Sequence, residues 1–181
     1  MRAVLDTCVL YPTVMREMLL GAAEAGFFTP FWSRRILEEW AHAARKIGPT
    51  GQVQARAEIA VISARCPGAE IEPRQGDLAR LWLPDANDVH VLAAAIACSA
   101  DMIVTLNRKD FPRNILTEEG LARADPDSLL TGFYAADPVT MAGLAERVRR
   151  TAEELSGRSW PMRALMKKAR LPRLARALAQ H

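Results

Sequence analysis

Four carboxylates stand where short apolar segments end or helices begin: Asp6, Glu39, Asp88 and Asp110. Asp6 closes the apolar run Val4-Leu5-Asp6-Thr7. A charge placed just past a buried strand is costly unless something uses or compensates it. At the C-terminal edge of an open α/β sheet, that use is ligand binding. Asp110 follows a second apolar run in Val104-Thr105-Leu106-Asn107-Arg108-Lys109-Asp110, where Thr105 and Asn107 can hydrogen-bond the carboxylates or a water. Asp85 and Asp88 bracket a helix start, Asp85 as N-cap and Asp88 at N3, where the positive end of the helix dipole favours an anion. Glu38 and Glu39 lie on a helix whose inward face is Ile36, Leu37, Trp40 and Ala44. At 100° per residue Glu39 is about 60° from Ile36, at the margin of that face, and Glu38 a little further round. Geometry alone therefore separates the two only slightly. Each acid by itself is a weak signal, which a cap, a turn or a solvated surface group would also explain. Together they describe a crowded acidic cluster that cannot stay fully ionised without a counter-charge. Oxygen ligands without a His/Cys cluster suit Mg²⁺ or Mn²⁺ rather than zinc. The chemistry such a centre performs is activation of a water for attack on a phosphodiester.

The elements that position these groups alternate. Residues 2–6 read as a strand, 14–25 as a helix, Phe27–Phe31 as a second strand, and a helix capped by Ser33 runs to about Lys46. A helix over 52–65, a strand at Ala69–Glu72, a helix over Val89–Ser99 and a strand at Met102–Leu106 follow. Residues 113–125 read as a loop with a weak fifth strand. From Pro126 the pattern is helical throughout, at about 126–135, 138–155, 161–169 and 171–180. Strands alternating with helices imply βαβ units and a parallel sheet. The chain then divides into an α/β/α domain over 1–136 and a helical extension over 137–181.

The 181 residues suffice for one ordinary domain with an appendage. Half are apolar and a quarter charged, which points to a soluble globular chain with a sizeable core. No apolar run approaches the roughly 18 residues of a membrane span. The N-terminus carries no basic, signal-like leader, so a cytoplasmic location with no membrane partner is expected. Cys8, Cys66 and Cys98 are scattered and odd in number, against a disulfide framework or a structural zinc site. Their apolar surroundings suggest buried, reduced thiols. The net charge of +3 hides an asymmetry: residues 1–157 sum to −4 and residues 158–181 to +7. A basic tail on an acidic body fits a polyanionic partner, or else a solvated helix face.

The four segments, in this order, resemble the PIN-domain nucleases. The likeness rests on Val4-Leu5-Asp6-Thr7-Cys8-Val9-Leu10-Tyr11-Pro12, on Ile36-Leu37-Glu38-Glu39-Trp40, on Leu83-Pro84-Asp85 through Asp88-Val89-His90, and on Ile103 to Pro112. The helical tail, with Pro126-Asp127-Ser128-Leu129-Leu130, is similar to the extension of a VapC-like toxin subgroup. The resemblance implies a three-layer fold with a parallel sheet ordered 3-2-1-4-5. It also implies an Mg²⁺- or Mn²⁺-dependent ribonuclease that cuts single-stranded RNA to leave a 5′-phosphate and a 3′-hydroxyl. The family's four acids map onto Asp6, Glu39, Asp88 and Asp110, with Glu39 preferred to Glu38 because it directly precedes the apolar Trp40. Asp85 matches an extra acid and Asn107 a polar position of the last segment. The implied partners are an RNA substrate and a cognate antitoxin, and the family allows a homodimer. Cys8 departs from the Asn or Ser common at that position, and a thiol is a poorer hydrogen-bonding group.

Other readings meet specific obstacles. A haloacid-dehalogenase-like phosphatase needs a second Asp where Cys8 stands. A phosphoreceiver domain needs paired acids after the first strand and an acceptor Asp after the third. A non-catalytic PIN-like RNA-binding or interaction module is the rival of another class. Loss of acids is its usual signature, and all four are present. His90, one turn inside its helix, reads as a packing or hydrogen-bonding residue.

Overall fold

The computed structural model describes residues 1–180. Five strands form one sheet in the order β3-β2-β1-β4-β5, where β1 is Arg2–Leu5, β2 Thr29–Ser33, β3 Glu70–Ile71, β4 Met102–Val104 and β5 Ala122–Ala124. β1 pairs in parallel with β2 (Val4 opposite Phe31) and with β4 (Val4 opposite Ile103), and β2 pairs in parallel with β3. The sheet order expected from the family resemblance is the order observed. Ala3, Val4 and Leu5 are inaccessible to solvent, as befits a central strand covered on both faces.

The second strand begins two residues later than its apolar run suggests, at Thr29, and contains Pro30. Proline normally avoids interior strands because it donates no ladder hydrogen bond. In β2 the Thr29 N–H turns to Met1 O on one side, and the Trp32 N–H turns to Ala69 O on the other. Pro30 shares the side of Trp32 but lies before β3 begins to pair, so no partner is deprived.

Eleven α-helices are present among the described residues: α1 (Thr7–Leu10), α2 (Thr13–Glu24), α3 (Arg34–Ala43), α4 (Gly51–Arg65), α5 (Gln75–Arg80), α6 (Val89–Ala97), α7 (Arg113–Glu118), α8 (Pro126–Ala136), α9 (Pro138–Ser156), α10 (Met162–Lys168) and α11 (Pro172–Ala177). Three of the short ones, α1, α5 and α7, are not apparent in the sequence. Each is six residues or fewer, too short to show a 3.6-residue period. Residues 113–125, expected as loop and strand, therefore also carry α7. The alanine-rich α6 is buried from His90 to Ala95, as a helix must be when its small side chains lie flat against a sheet. Ser33 accepts the Ile36 N–H at 3.3 Å and fixes the start of α3.

The chain forms two compact units. One comprises residues 1–11 and 29–123 and holds the sheet. The other comprises residues 12–28 and the chain from 124 onward, and is helical. In the helical unit, Pro126 and Pro138 occupy the first turns of α8 and α9, preceded by capping aspartates: Asp125 accepts from Ser128 N and Asp137 from Thr140 N, both at 3.0 Å. Helices α2 and α9 approach so closely at Gly21 that a β-carbon there would overlap a δ-methyl of Leu144. Phe133 stacks on Phe27 at 4.9 Å between centroids. The tail's apolar residues Leu165, Met166, Leu171 and Leu174 are buried within this unit, so the extension covers part of its own chain. No helix among the described residues is long and apolar enough to cross a membrane.

Candidate active site

The acids gather at one place in the sheet. Strand order runs outward from β1 in both directions, so the gap between β1 and β4 is the topological switch point where such sheets bind ligands. Asp6 follows β1, and its N–H still bonds Val104 O of β4 at 3.1 Å. Thr105 and Asn107 leave β4 on the same edge.

Asp6 is 6% exposed, and its Oδ2 accepts the buried Thr105 hydroxyl at 2.6 Å and the Cys8 thiol at 3.1 Å. Thr105 Oγ1 in turn accepts the Asn107 N–H at 2.9 Å, and Asn107 Nδ2 donates to Asp88 Oδ2 at 3.1 Å. One chain of hydrogen bonds thus runs from the acid of β1 to the acid at the mouth of α6. Asp85 accepts the Asn87 N–H at 2.9 Å and shapes the 3₁₀ turn Ala86–Asp88. The carboxylates of Asp85, Asp88 and Asp110 each offer an oxygen within 4.8 Å of the others. Asp6 and Glu39 are outside that tight trio, yet their charges reach Asp88. Burial first, then the charges of Asp6, Asp85, Asp110 and Glu39, push the Asp88 carboxyl up to about 6.

Glu39, half-buried on α3, is held differently. Its Oε2 lies 3.2 Å from Thr7 Oγ1, while Oε1 lies 3.3 Å from Arg35 Nε and 2.8 Å from His90 Nε2. The His90 contact is an ion-pair distance rather than a well-aligned hydrogen bond. Burial opposes ionisation of Glu39, but the His90 contact and charge, the Thr7 hydroxyl and the Arg35 charge together bring its pKa below the usual value. Arg35 also donates to Asn87 O at 3.3 Å, tying α3 to the turn that carries Asp85 and Asp88. Glu38, by contrast, is exposed and engaged by both Arg56 nitrogens at 2.9 and 2.7 Å. Of the two neighbours, Glu39 is the one beside the cluster.

Cys8 corrects the expectation of an apolar setting. Its Sγ contacts Asp6, accepts the Leu106 N–H at 3.2 Å and lies 3.4 Å from Thr105 Oγ1. Burial, followed by the Asp6 charge, pushes the thiol up to about 12, so it remains a neutral donor to the carboxylate. The hydrogen-bonding place of an Asn or Ser is therefore filled. Cys66 is half-buried and Cys98 buried, both free thiols.

Sequence reasoning missed Arg35 and Thr7 as contacts of Glu39 and the identity of the partner of His90. Arg35 was detectable, being four residues before Glu39 on one helix. His90 carries no sequence signal for Glu39, because their meeting depends on how α3 and α6 flank the sheet.

A parallel α/β sheet with acids collected at its switch point defines a fold that binds at that edge. The chain belongs to the PIN-domain family of nuclease-fold proteins: residues 2–109 match the family described as PIN domain, more than half of the chain. No curated protein matches it. Among solved structures it is similar to that of VapBC-1 from nontypeable Haemophilus influenzae, at 17% identity and a TM-score of 0.48, over 70% of this chain and 98% of that one.

Two consequences arise from the site. On the metal-nuclease function proposed below, Glu39→Gln should lower cleavage and weaken Mn²⁺ binding by about tenfold or more. Glu38→Gln, which removes only an exposed ion pair, should leave both unchanged. Equal losses in steady-state assays of the two variants would refute the assignment. The second concerns pH. Asp88 holds its proton more tightly folded than unfolded, so the metal-free protein loses stability as pH rises from about 4 through about 6. That rise in pKa, discounted for partial exposure, is worth on the order of 1–2 kcal/mol. Thermal melts in EDTA should show this decline for the parent chain and a flatter profile for Asp88→Asn. Parallel profiles would count against the crowding.

Proposed function

We propose that the protein is a metal-dependent endoribonuclease, with the chemistry on residues 1–136 and a helical basic extension over 137–181. The reading is supported above all by the Asp85, Asp88 and Asp110 trio and by the response of Asp88 to the other acids crowded at one sheet edge. The donor set fits the cation the family implies: carboxylate oxygens only, with one carboxyl whose ionisation a divalent charge would favour. Asp6, Glu39, Asp88 and Asp110 would hold Mg²⁺ or Mn²⁺, with Asp85 and Asn107 supporting. When bound, such an ion lowers the pKa of a water and stabilises charge developing on phosphate oxygens.

The chain's own residues do the rest. Thr105 and Cys8 fix the Asp6 carboxylate, Asn107 fixes that of Asp88, and Arg35 with His90 keeps Glu39 ionised. A preorganised set of this kind need not rearrange as the reaction proceeds. The substrate proposed is single-stranded RNA, cut to leave a 5′-phosphate and a 3′-hydroxyl. The PIN-domain match, with an extension whose sequence resembles that of VapC-like toxins, supports a toxin held by a cognate antitoxin.

The test is cleavage of defined single-stranded RNAs by the purified chain with Mg²⁺, with Mn²⁺ and with excess EDTA. Metal-dependent cuts bearing 5′-phosphate ends are expected, with no cleavage in EDTA. Saturating metal should also raise the melting temperature, since at a hundred times Kd it adds about 2.7 kcal/mol to the folded state. Full activity in EDTA would refute the metal chemistry. RNA binding without cleavage under every metal condition would make the chain a binding module.

A further inference from the structure

The helical unit contains a groove of about 450 Å³ whose walls are mainly apolar, with Val14, Leu155, Trp160 and Leu165 among them and Arg158 and Lys168 at the rim. No acidic residue lines it. Every residue lining the groove belongs to the helical unit, on helices that follow the span matching the PIN domain and at the start of α2.

Its aromatic wall is held in place. The Trp160 indole N–H donates to Ser156 Oγ at 3.0 Å, and the Trp160 backbone N–H donates to Glu153 Oε1 at 2.8 Å. The guanidinium of Arg158 lies 4.1 Å and the ammonium of Lys168 4.7 Å from the centre of the same ring. Two like charges are thus gathered about one aromatic ring, an arrangement the ring quadrupole favours but mutual repulsion opposes. The nearby acid cannot relieve them. Glu153 is already taken by Arg149 at 2.6 Å, by Ser159 Oγ and by the Trp160 N–H. Among the described residues neither Arg158 nor Lys168 has a carboxylate at ion-pair distance. Leu155, beside them, is 77% exposed.

We propose that this groove docks a short acidic segment of a partner protein. A large apolar side chain would sit against Leu155 and Trp160, with one or two carboxylates on Arg158 and Lys168. The composition is that of an interface hot spot: a fixed tryptophan and an arginine around an apolar depression. The unanswered positive charge selects an anionic partner. RNA fits less well. Base stacking requires an open indole face, whereas cations already stand over this ring, and a phosphodiester backbone does not fill an apolar cavity. The proposal does not rest on the nuclease reading, and its test reads binding, so the two can fail separately.

The experiment selects a displayed library of random peptides of roughly 12 residues, a length that amply spans such a groove at about 3.3 Å per residue, against the full chain. The library is first depleted on the Leu155→Asp variant and, in a second arm, on the Arg158→Gln/Lys168→Gln double variant. All three positions are exposed, so the variants should melt with the parent. Enrichment of peptides that pair Asp or Glu with Leu, Phe or Trp is expected. Synthetic copies should bind by fluorescence anisotropy, lose about tenfold or more in affinity to either variant, and weaken as salt rises. Absence of enrichment would overturn the proposal, as would peptides lacking acids or binding both variants as well as the parent. An oligouridine that binds with dependence on Arg158 and Lys168 where no peptide does would assign the groove to RNA and equally overturn it.

Discussion

Replacing Asp6 by Asn should reduce RNA cleavage by more than about a hundredfold while leaving the fold intact. Outer contacts of a metal centre typically cost about 10- to 100-fold when removed, and a carboxylate proposed to hold the metal directly should exceed the upper figure. The side chain is 6% exposed, and its Oδ2 is occupied by Thr105 at 2.6 Å and Cys8 at 3.1 Å. Both of these bonds fall on Oδ2, which leaves Oδ1 outside them. Asparagine is isosteric and keeps one carbonyl oxygen for Thr105 and Cys8, so the network survives while the charge is lost. Removing a charge also eases the crowding around Asp88. Single-turnover cleavage and thermal melting, measured together, decide the matter. Activity within about threefold of the parent in a well-folded Asp6→Asn protein would remove Asp6 from the catalytic set.

The second large effect is on stability and belongs to the helical unit. Asp127 of α8 is 6% exposed and accepts the Arg173 N–H at 2.8 Å and the Leu174 N–H at 3.0 Å. Helix α11 has no side-chain cap of its own, so Asp127 performs that role from another helix. Arg173 also donates to Ser128 Oγ at 2.6 Å. Asp127→Ala would leave two backbone donors without partners at the edge of a buried layer that includes Leu171, Leu174 and Ala175. At about 1–3 kcal/mol for each unsatisfied group, the loss should be about 3 kcal/mol. For a chain of this length that is a fall in melting temperature of roughly 6–12 °C. Asp127→Asn keeps one acceptor oxygen and should recover about half. Hydrogen exchange should locate the loss at Arg173 and Leu174. A melting temperature within about 2 °C of the parent would mean that water replaces the cap without cost.

Much of the fold is legible in the chain itself, because the physics that sets it is local. Val4-Leu5 and Ile103-Val104 sit in apolar runs of strand length, and each lies within a strand, while the second strand runs two residues beyond its expected Phe27–Phe31. Ser33, Asp125 and Asp137 stand at helix starts, and each side chain makes a capping bond. The four acid-bearing segments, read in order, lead to the family and through it to the sheet order. The short helices α1, α5 and α7 are not legible, because one or two turns show no period and owe their existence to the surfaces they join.

What only the tertiary structure decided are meetings between residues distant in sequence. His90 and Glu39, Cys8 and Leu106, and Asp127 and Leu174 are separated by between 47 and 98 positions. No pattern of spacing encodes those distances, since they depend on strand order and on the angles at which helices lie. The choice between Glu38 and Glu39 has the same origin. Helical geometry places them about 100° apart on α3, but only the position of Arg56 outside and of His90 and Thr7 inside makes one a surface ion pair and the other a member of the acidic edge. The sequence by itself determined which chemical groups are available and on which elements they ride. The packing of those elements, a sum over many weak contacts between residues far apart in the chain, determined which of the groups share a site.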